Sequence, residues 1–162
     1  MEAILQAMKP SELIGPESIL LGFNPADKWS SIHDLVQYMS DIGRLDGDLV
    51  DVVREAVLSR ERSMSTGMEE GVAIPHAALD EVTDVAACLG VVGPEEGLEF
   101  ESIDGRATRL VVLLVIPKGQ KLLHIRTLAD IARVLSKELV RQELLAATDP
   151  NRAHAVLVAG ES

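Results

Sequence analysis

The chain has 162 residues, 47% of them hydrophobic, and carries 26 acidic against 15 basic side chains for a formal net charge of −11. The apolar content excludes disorder as the main state, and the length suits one compact α/β unit with its own core. The acidity argues against nucleic acid, since a polyanion is repelled and counterion release needs Lys/Arg clusters. Phe23, Trp29, Tyr38 and Phe100 are the only aromatic side chains, too few for a stacking platform. Cys88 is the single cysteine, so no intramolecular disulfide can form, and its apolar surroundings predict a buried thiol. No apolar run is long enough to cross a bilayer, and Met1-Glu2-Ala3 lacks the basic opening of a signal peptide. A soluble, cytoplasmic chain without membrane insertion is expected.

In chain order, residues 1–18 read as a short helical piece interrupted at Pro10 and Pro16, and 19–23 as a short strand. Asn24 to Asp27 signals a turn and helix start. Ile32, Leu35, Val36, Met39 and Ile42 then recur at helical spacing up to Gly43. A second helix is predicted from about Asp48 to Arg60. Met64 to Glu70 is a Ser/Thr/Gly loop. Val72-Ala73-Ile74 is a short strand that Pro75 stops, and His76 follows at its end. Val85 to Val92 is a strand, Leu98 to Phe100 an edge or bulge, and Asp104-Gly105 a turn. The unbroken apolar run Leu110 to Ile116 suits a central strand buried on both faces. Ile125, Leu128, Ile131, Ala132, Leu135 and Leu139 predict one long amphipathic helix with His124 at its start. A last helix is predicted over 151–158. Alternating helices and strands give an α/β class, a three-layer α/β/α sandwich with a central mixed β-sheet, as one domain over 1–162.

The chain has no phosphate-binding Gly-rich loop ending in Lys-Ser/Thr, no Gly-x-Ser-x-Gly elbow, and no His-Glu-x-x-His or Cys-x-x-Cys spacing. Four histidines remain as candidates. His33, mid-helix, and His154, in the terminal helix, read as structural or solvated. His76 differs. Pro75 before it has a fixed φ and no N–H, a strand end is where open α/β sheets place ligands, and Ser65-Thr66-Gly67 supplies a small-residue loop. His124 stands at a predicted helix N-terminus, whose free N–H groups favour an anion. The two could share a site or be unrelated polar residues at element ends. A metal site on His76 and His124 lacks a clear third ligand, so no metal is expected.

Residues 60–76, Arg-Glu-Arg-Ser-Met-Ser-Thr-Gly-Met-Glu-Glu-Gly-Val-Ala-Ile-Pro-His, resemble the signature of enzyme IIA domains of the bacterial phosphoenolpyruvate-dependent phosphotransferase system, of the fructose/mannitol type that includes the nitrogen-regulatory proteins. His124-Ile125-Arg126-Thr127-Leu128-Ala129, opening a helix after an apolar strand, is similar to the family's second hallmark. Ile19-Leu20-Leu21, Asp27-Lys28 and Asp104-Gly105 fit as well, so the resemblance spans about residues 10–160. It implies that His76 is phosphorylated by the phosphohistidine of HPr or a nitrogen-branch relative. The phosphoryl group would pass to an enzyme IIB, or serve as a signal to a regulated target protein. It implies that His124 hydrogen-bonds the phosphoryl group, that Arg60 is its cationic partner, and that Ser65, Thr66 and Gly67 lie beside it. No cofactor is implied. The absence of an attached IIB, membrane or HPr domain from this sequence favours the nitrogen-regulatory branch over sugar uptake. Many members carry Gly and then Lys or Arg after the active histidine; here Ala77-Ala78 stand there. The competing class is an interaction module that kept the fold without being phosphorylated, against which the intact Arg60, His76 and His124 set argues.

Residues 67–103 carry nine acidic side chains and no Lys or Arg, with His76 among them. A phosphoryl group adds up to about −2 at neutral pH. Its stabilising charge must therefore come from outside that stretch, from Arg60 before it and His124 after it. The acidity also predicts a donor that docks partly through basic residues, with salt-sensitive association.

Overall fold

The computed structural model describes residues 8–162. Its elements run α1 (Pro10–Leu13), β1 (Ile19–Phe23), α2 (Lys28–Asp41), α3 (Val50–Ser63), β2 (Val72–Ala73), β3 (His76–Leu79), β4 (Ala86–Val92), β5 (Leu110–Pro117), α4 (Lys121–Leu135), α5 (Glu138–Ala146) and α6 (Pro150–Gly160). Part of the expected helical piece, residues 1–7, lies outside the described residues. Within the rest, the prolines start helical turns instead of interrupting one. Pro10 is the first residue of α1 and Pro16 of a 3-10 turn over Pro16–Ser18, because a first-turn residue needs no N–H partner and proline's φ is already helical. Asp27 and Asp149 cap α2 and α6 by accepting from the backbone N–H of Ser30 at 2.8 Å and Arg152 at 2.9 Å.

The sheet is mixed, as expected. β1 pairs parallel with β4, β4 antiparallel with β5, and β2 and β3 both pair parallel with β5 along its other side. β5 is buried along its whole length. Its side chains alternate between two cores, as a pleat of period two requires. Val111, Leu113 and Val115 pack with α2 and α3, whereas Leu110, Val112, Leu114 and Ile116 pack with α1, α4, α5 and α6. Two cores on two faces make the three-layer α/β/α sandwich. Cys88 is fully buried in the first, its thiol pushed up by loss of solvent and directed to the Leu35 carbonyl.

Two further expectations need correction. The apolar spacing from Ile125 to Leu139 does not form one helix. α4 ends at Leu135, Lys137 is extended, and α5 begins at Glu138. Arg141 satisfies the exposed end of α4 by donating to the Leu135 carbonyl at 3.1 Å and the Ser136 carbonyl at 2.6 Å. Both helices bury onto one face, so the spacing runs through the break, and Ile125 and Leu139 are exposed. The second correction concerns the strand before His76. Val72-Ala73 and His76–Leu79 are separate short strands on the same flank of β5, broken at Ile74-Pro75. His76 therefore opens β3, on the sheet's edge, rather than ending a buried strand. Leu98 contributes only a single bridge to Thr108, with Phe100 buried beneath.

Candidate active site

Strand alternation decides which way His76 faces. Ala77 and Leu79 belong to the core under α2 and α3, so His76 lies on the opposite face, that of α4. Because β3 is an edge strand, groups from both helical layers reach the ring. His124 comes from the first turn of α4, and the His76 and His124 ring centroids lie 5.3 Å apart, edge to face at 80°. Arg60 comes from the last turn of α3, and its charge acts on both imidazoles. Its Nη1 donates to the Met64 carbonyl at 2.7 Å, which orients the guanidinium and leaves the other N–H groups of the fork for a ligand.

The two imidazoles are tuned alike. Burial, the largest cause, holds the His76 pKa below its usual 6.5, and the positive charge of Arg60 and the neighbouring His124 ring act in the same direction. Burial and then Arg60 lower His124 also. Both rings are thus neutral at pH 7. His76 Nδ1 lies 2.7 Å from the Ile74 carbonyl oxygen. A carbonyl can only accept, so a neutral ring carries its proton on Nδ1, which leaves the Nε2 lone pair free.

Titration followed by NMR is expected to place both midpoints below 6.5. The folded-state values lie below the unfolded one, so between them the unfolded chain binds more protons. The contribution of His76 and His124 to stability therefore rises with pH through that window and is lost on acidification. Urea midpoints for the wild type and for a His76→Gln/His124→Gln variant, measured at about pH 5 and about pH 7.5, check this. The wild type should gain more stability over that interval.

Ser65, Thr66 and Gly67 are in the loop that bonds Ile74, two residues before His76, with the Ser65 and Thr66 hydroxyl protons committed elsewhere. Ser65 Oγ donates to the Phe100 carbonyl, and Thr66 donates from its backbone N–H (2.8 Å) and its hydroxyl to the buried carboxylate of Glu61. The loop closes the edge of β2. Met68 N–H donates to the Val72 carbonyl at 2.8 Å, and Ile74 N–H to the Thr66 carbonyl at 3.2 Å. Gly67 is needed for packing, because a Cβ there would stand 2.7 Å from the Phe100 carbonyl oxygen. Gly67→Ala is expected to cost about 1–3 kcal/mol in urea unfolding, as overpacked sites do.

His124 is the fourth residue of α4 rather than its opening one, and its own N–H donates to the Gln120 carbonyl at 2.9 Å. The unpaired first-turn N–H groups belong to 121–123, so the ring, not the amide, of His124 faces His76. The other two histidines stay apart from the site. His33 is exposed beside Asp34, and His154 Nε2 donates to the Ser11 carbonyl at 2.9 Å, tying α6 to α1. Among the described residues, no group of three or more His, Cys, Asp or Glu side chains is placed to hold a metal ion, and no helix is long and apolar enough to cross a membrane.

Behind the loop, Lys28 and Glu61 form a buried ion pair that no sequence pattern marks. The Lys28 Nζ lies 3.1 Å from Glu61 Oε2, with side chains 7% and 0% exposed. The only sequence signal was their place in the matched stretches, Asp27-Lys28 and Arg60-Glu61, and nothing in spacing shows that the two meet.

Fold and site together define the class: a three-layer α/β domain that sets two neutral imidazoles and an arginine at a sheet edge. The family described as "Phosphoenolpyruvate-dependent sugar phosphotransferase system, EIIA 2" matches residues 13–159, and the chain belongs to it. It is 31% identical over 150 residues to a nitrogen regulatory protein of Bradyrhizobium diazoefficiens, covering 93% of this chain and 95% of that protein. It is 30% identical over 153 residues to a fructose-specific EIIA component of Haloferax volcanii, covering 94% of each. A fructose-specific EIIABC component of Bacillus subtilis is 32% identical over 140 residues, 86% of this chain but only 21% of that longer protein. The fold is that of nitrogen regulatory protein IIA-Ntr from Neisseria meningitidis (TM-score 0.80, 23% identity, 91% of this chain and 97% of that one). It is also that of enzyme IIA mannitol in its complex with phosphorylated enzyme IIB from Escherichia coli (TM-score 0.73, 22% identity, 91% of this chain and 99% of that one).

Proposed function

We propose that the chain is a phosphocarrier of the phosphotransferase system, one IIA-like unit over 1–162, that accepts a phosphoryl group on Nε2 of His76 from the phosphohistidine of an HPr-type protein. The observation that carries this is the 2.7 Å contact of His76 Nδ1 with the Ile74 carbonyl. It leaves one free nucleophilic nitrogen on a neutral ring. In the transfer the donor's P–N bond breaks and a P–Nε2 bond forms, while Nδ1 keeps its proton and donates it in a hydrogen bond to the Ile74 carbonyl. The product ring is then cationic beside an anionic phosphoryl group, which makes it a good leaving group for onward transfer. Bond types are nearly balanced, so positioning and charge stabilisation do most of the work, and no cofactor is required. Arg60 offers a fixed fork of N–H donors to phosphoryl oxygens, and the neutral His124 donates one more. Ser65, Thr66 and Gly67 hold the loop beside them.

Met64, Leu122 and Ile125, exposed at 69%, 70% and 64%, stand on the segments that carry Arg60 and His124 and offer apolar contact to a partner. The chain's acidity makes donor association weaken with salt. Ala78 is exposed on the His76 face of β3, so the position following Ala77 supplies no cation to the partner. The test is incubation with phosphoenolpyruvate, enzyme I and HPr, with intact mass as the readout. One acid-labile, base-stable phosphate per chain is expected, and no adduct with any cognate HPr would sink the reading.

Relatives named nitrogen regulatory protein and fructose-specific EIIA match at 31% and 30% along 95% and 94% of their lengths. The two branches part on the acceptor. Discharge by an added enzyme IIB marks transport, whereas a phosphate that persists against IIB and changes the binding of a target protein marks regulation.

A further inference from the structure

Four hydrogen bonds link the buried Lys28–Glu61 pair to the His76 ring. Lys28 Nζ donates to Glu61 Oε2 at 3.1 Å. Thr66 N–H donates to the same oxygen at 2.8 Å, and the Thr66 hydroxyl to Glu61 Oε1. Ile74 N–H donates to the Thr66 carbonyl at 3.2 Å. The Ile74 carbonyl, 2.7 Å from His76 Nδ1, accepts the ring's proton. Ile74 sits in the break between β2 and β3, where Pro75 has no N–H to offer. The Ile74 N–H and carbonyl bond Thr66 and His76 rather than β5, whose nearest bond is from Leu114 N–H to the Pro75 carbonyl at 3.0 Å, so the 65–68 loop holds this carbonyl from the side. That loop is anchored in turn by Glu61.

We propose, resting on the reading of His76 Nε2 as the phosphoryl acceptor, that Glu61 is a positioning residue: as the acceptor for Thr66 it places the Ile74 carbonyl, which selects the Nδ1–H tautomer of His76 and so directs phosphorylation to Nε2. Lys28 has a separate part, balancing the buried carboxylate. The requirement at position 61 is then an acceptor, not a charge. In a Lys28→Met background, Glu61→Gln keeps an amide oxygen for Thr66, whereas Glu61→Leu keeps none.

The probe is phosphoramidate. Its P–N bond breaks with release of ammonia as P–Nε2 forms, so no protein donor or docking surface enters the result. Long-range 1H–15N NMR of the unphosphorylated protein reads the His76 tautomer, and 31P and 15N shifts of the product read which nitrogen is phosphorylated. Wild type and Lys28→Met/Glu61→Gln are expected to show one Nδ1–H tautomer and an Nε2 adduct. Lys28→Met/Glu61→Leu is expected to show mixed tautomers, an Nδ1 isomer in the product, and a rate lower by about tenfold or more, as misplacement at a reacting centre produces. A merely structural role would lower the melting temperature of the Leu variant and leave its tautomer, isomer and rate unchanged, and that result overturns the proposal. If the Leu variant does not fold, Lys28→Met/Glu61→Met, closer in shape to glutamate and likewise without an oxygen acceptor for Thr66, is read in its place, and an unchanged tautomer and rate there overturn it equally. A wild type that takes no phosphate on His76 is a different failure, of the phosphocarrier reading itself.

Discussion

His76→Ala is expected to abolish the phosphoryl adduct while the protein still unfolds cooperatively. The ring opens an edge strand and is half-buried, and its one hydrogen bond goes to a loop carbonyl, so its loss leaves both cores intact. No other histidine can stand in. Among the described residues, His124 Nε2 and Nδ1 have no carbonyl partner that would fix a tautomer, and His33 and His154 belong elsewhere. Arg60→Ala and His124→Ala test the surroundings of the reacting atom. On the proposed reading Arg60 supplies charged donors where phosphoryl charge is redistributed, and removing such a donor slows transfer by about 10²- to 10³-fold. His124→Ala removes one neutral donor and should cost less. Single-turnover transfer from phosphorylated HPr, read by intact mass, separates the three. An adduct that survives in His76→Ala would place the acceptor elsewhere, and wild-type rates in Arg60→Ala would remove the guanidinium from the chemistry.

What the sequence disclosed divides along the range of the interaction. The layers were legible because burial imposes a period: Leu110 to Ile116 is apolar at every position, and only a strand covered on both faces asks for that. His76 and His124 were legible because Pro75-His76 and the stretch His124 to Ala129 are local, although the helix opens three residues earlier, at Lys121. The split of α4 from α5 was not, since it depends on Arg141 reaching back to the Leu135 and Ser136 carbonyls while the apolar spacing continues undisturbed. The interrupted edge strand was misplaced for a similar reason. Pro75 does stop β2, but β5 is long enough to pair again with His76–Leu79 beyond the break. Ser65-Thr66-Gly67 reads as a small-residue loop beside His76, and only the fold shows that Phe100 and Glu61 take the protons of the two hydroxyls. Lys28 and Glu61, 33 residues apart, meet through the packing of α2 against α3, which leaves no trace in either helix's own pattern.

Lys28→Met alone is expected to destabilise the protein by about 3–5 kcal/mol, the cost of leaving a buried carboxylate without its cation. Glu61 keeps its two bonds from Thr66 in that variant, but its charge is fully enclosed and water cannot replace the ammonium without opening the α2–α3 contact. Methionine preserves most of the lysine stem's packing, so the loss reads charge rather than volume. A smaller part comes from the cation over Trp29 and Phe100, whose ring centroids lie 4.9 and 5.5 Å from Nζ. The Lys28→Met/Glu61→Gln double variant should recover most of the loss, because a neutral amide needs no counter-charge and still accepts from Thr66. Urea unfolding of the wild type, the two single variants and the double closes a cycle whose coupling measures the pair. A single-variant loss under about 1 kcal/mol would mean the pair behaves as an exposed one. The two charges would then be reached by water, and the loop beside His76 would be held by Thr66 and Ile74 without them.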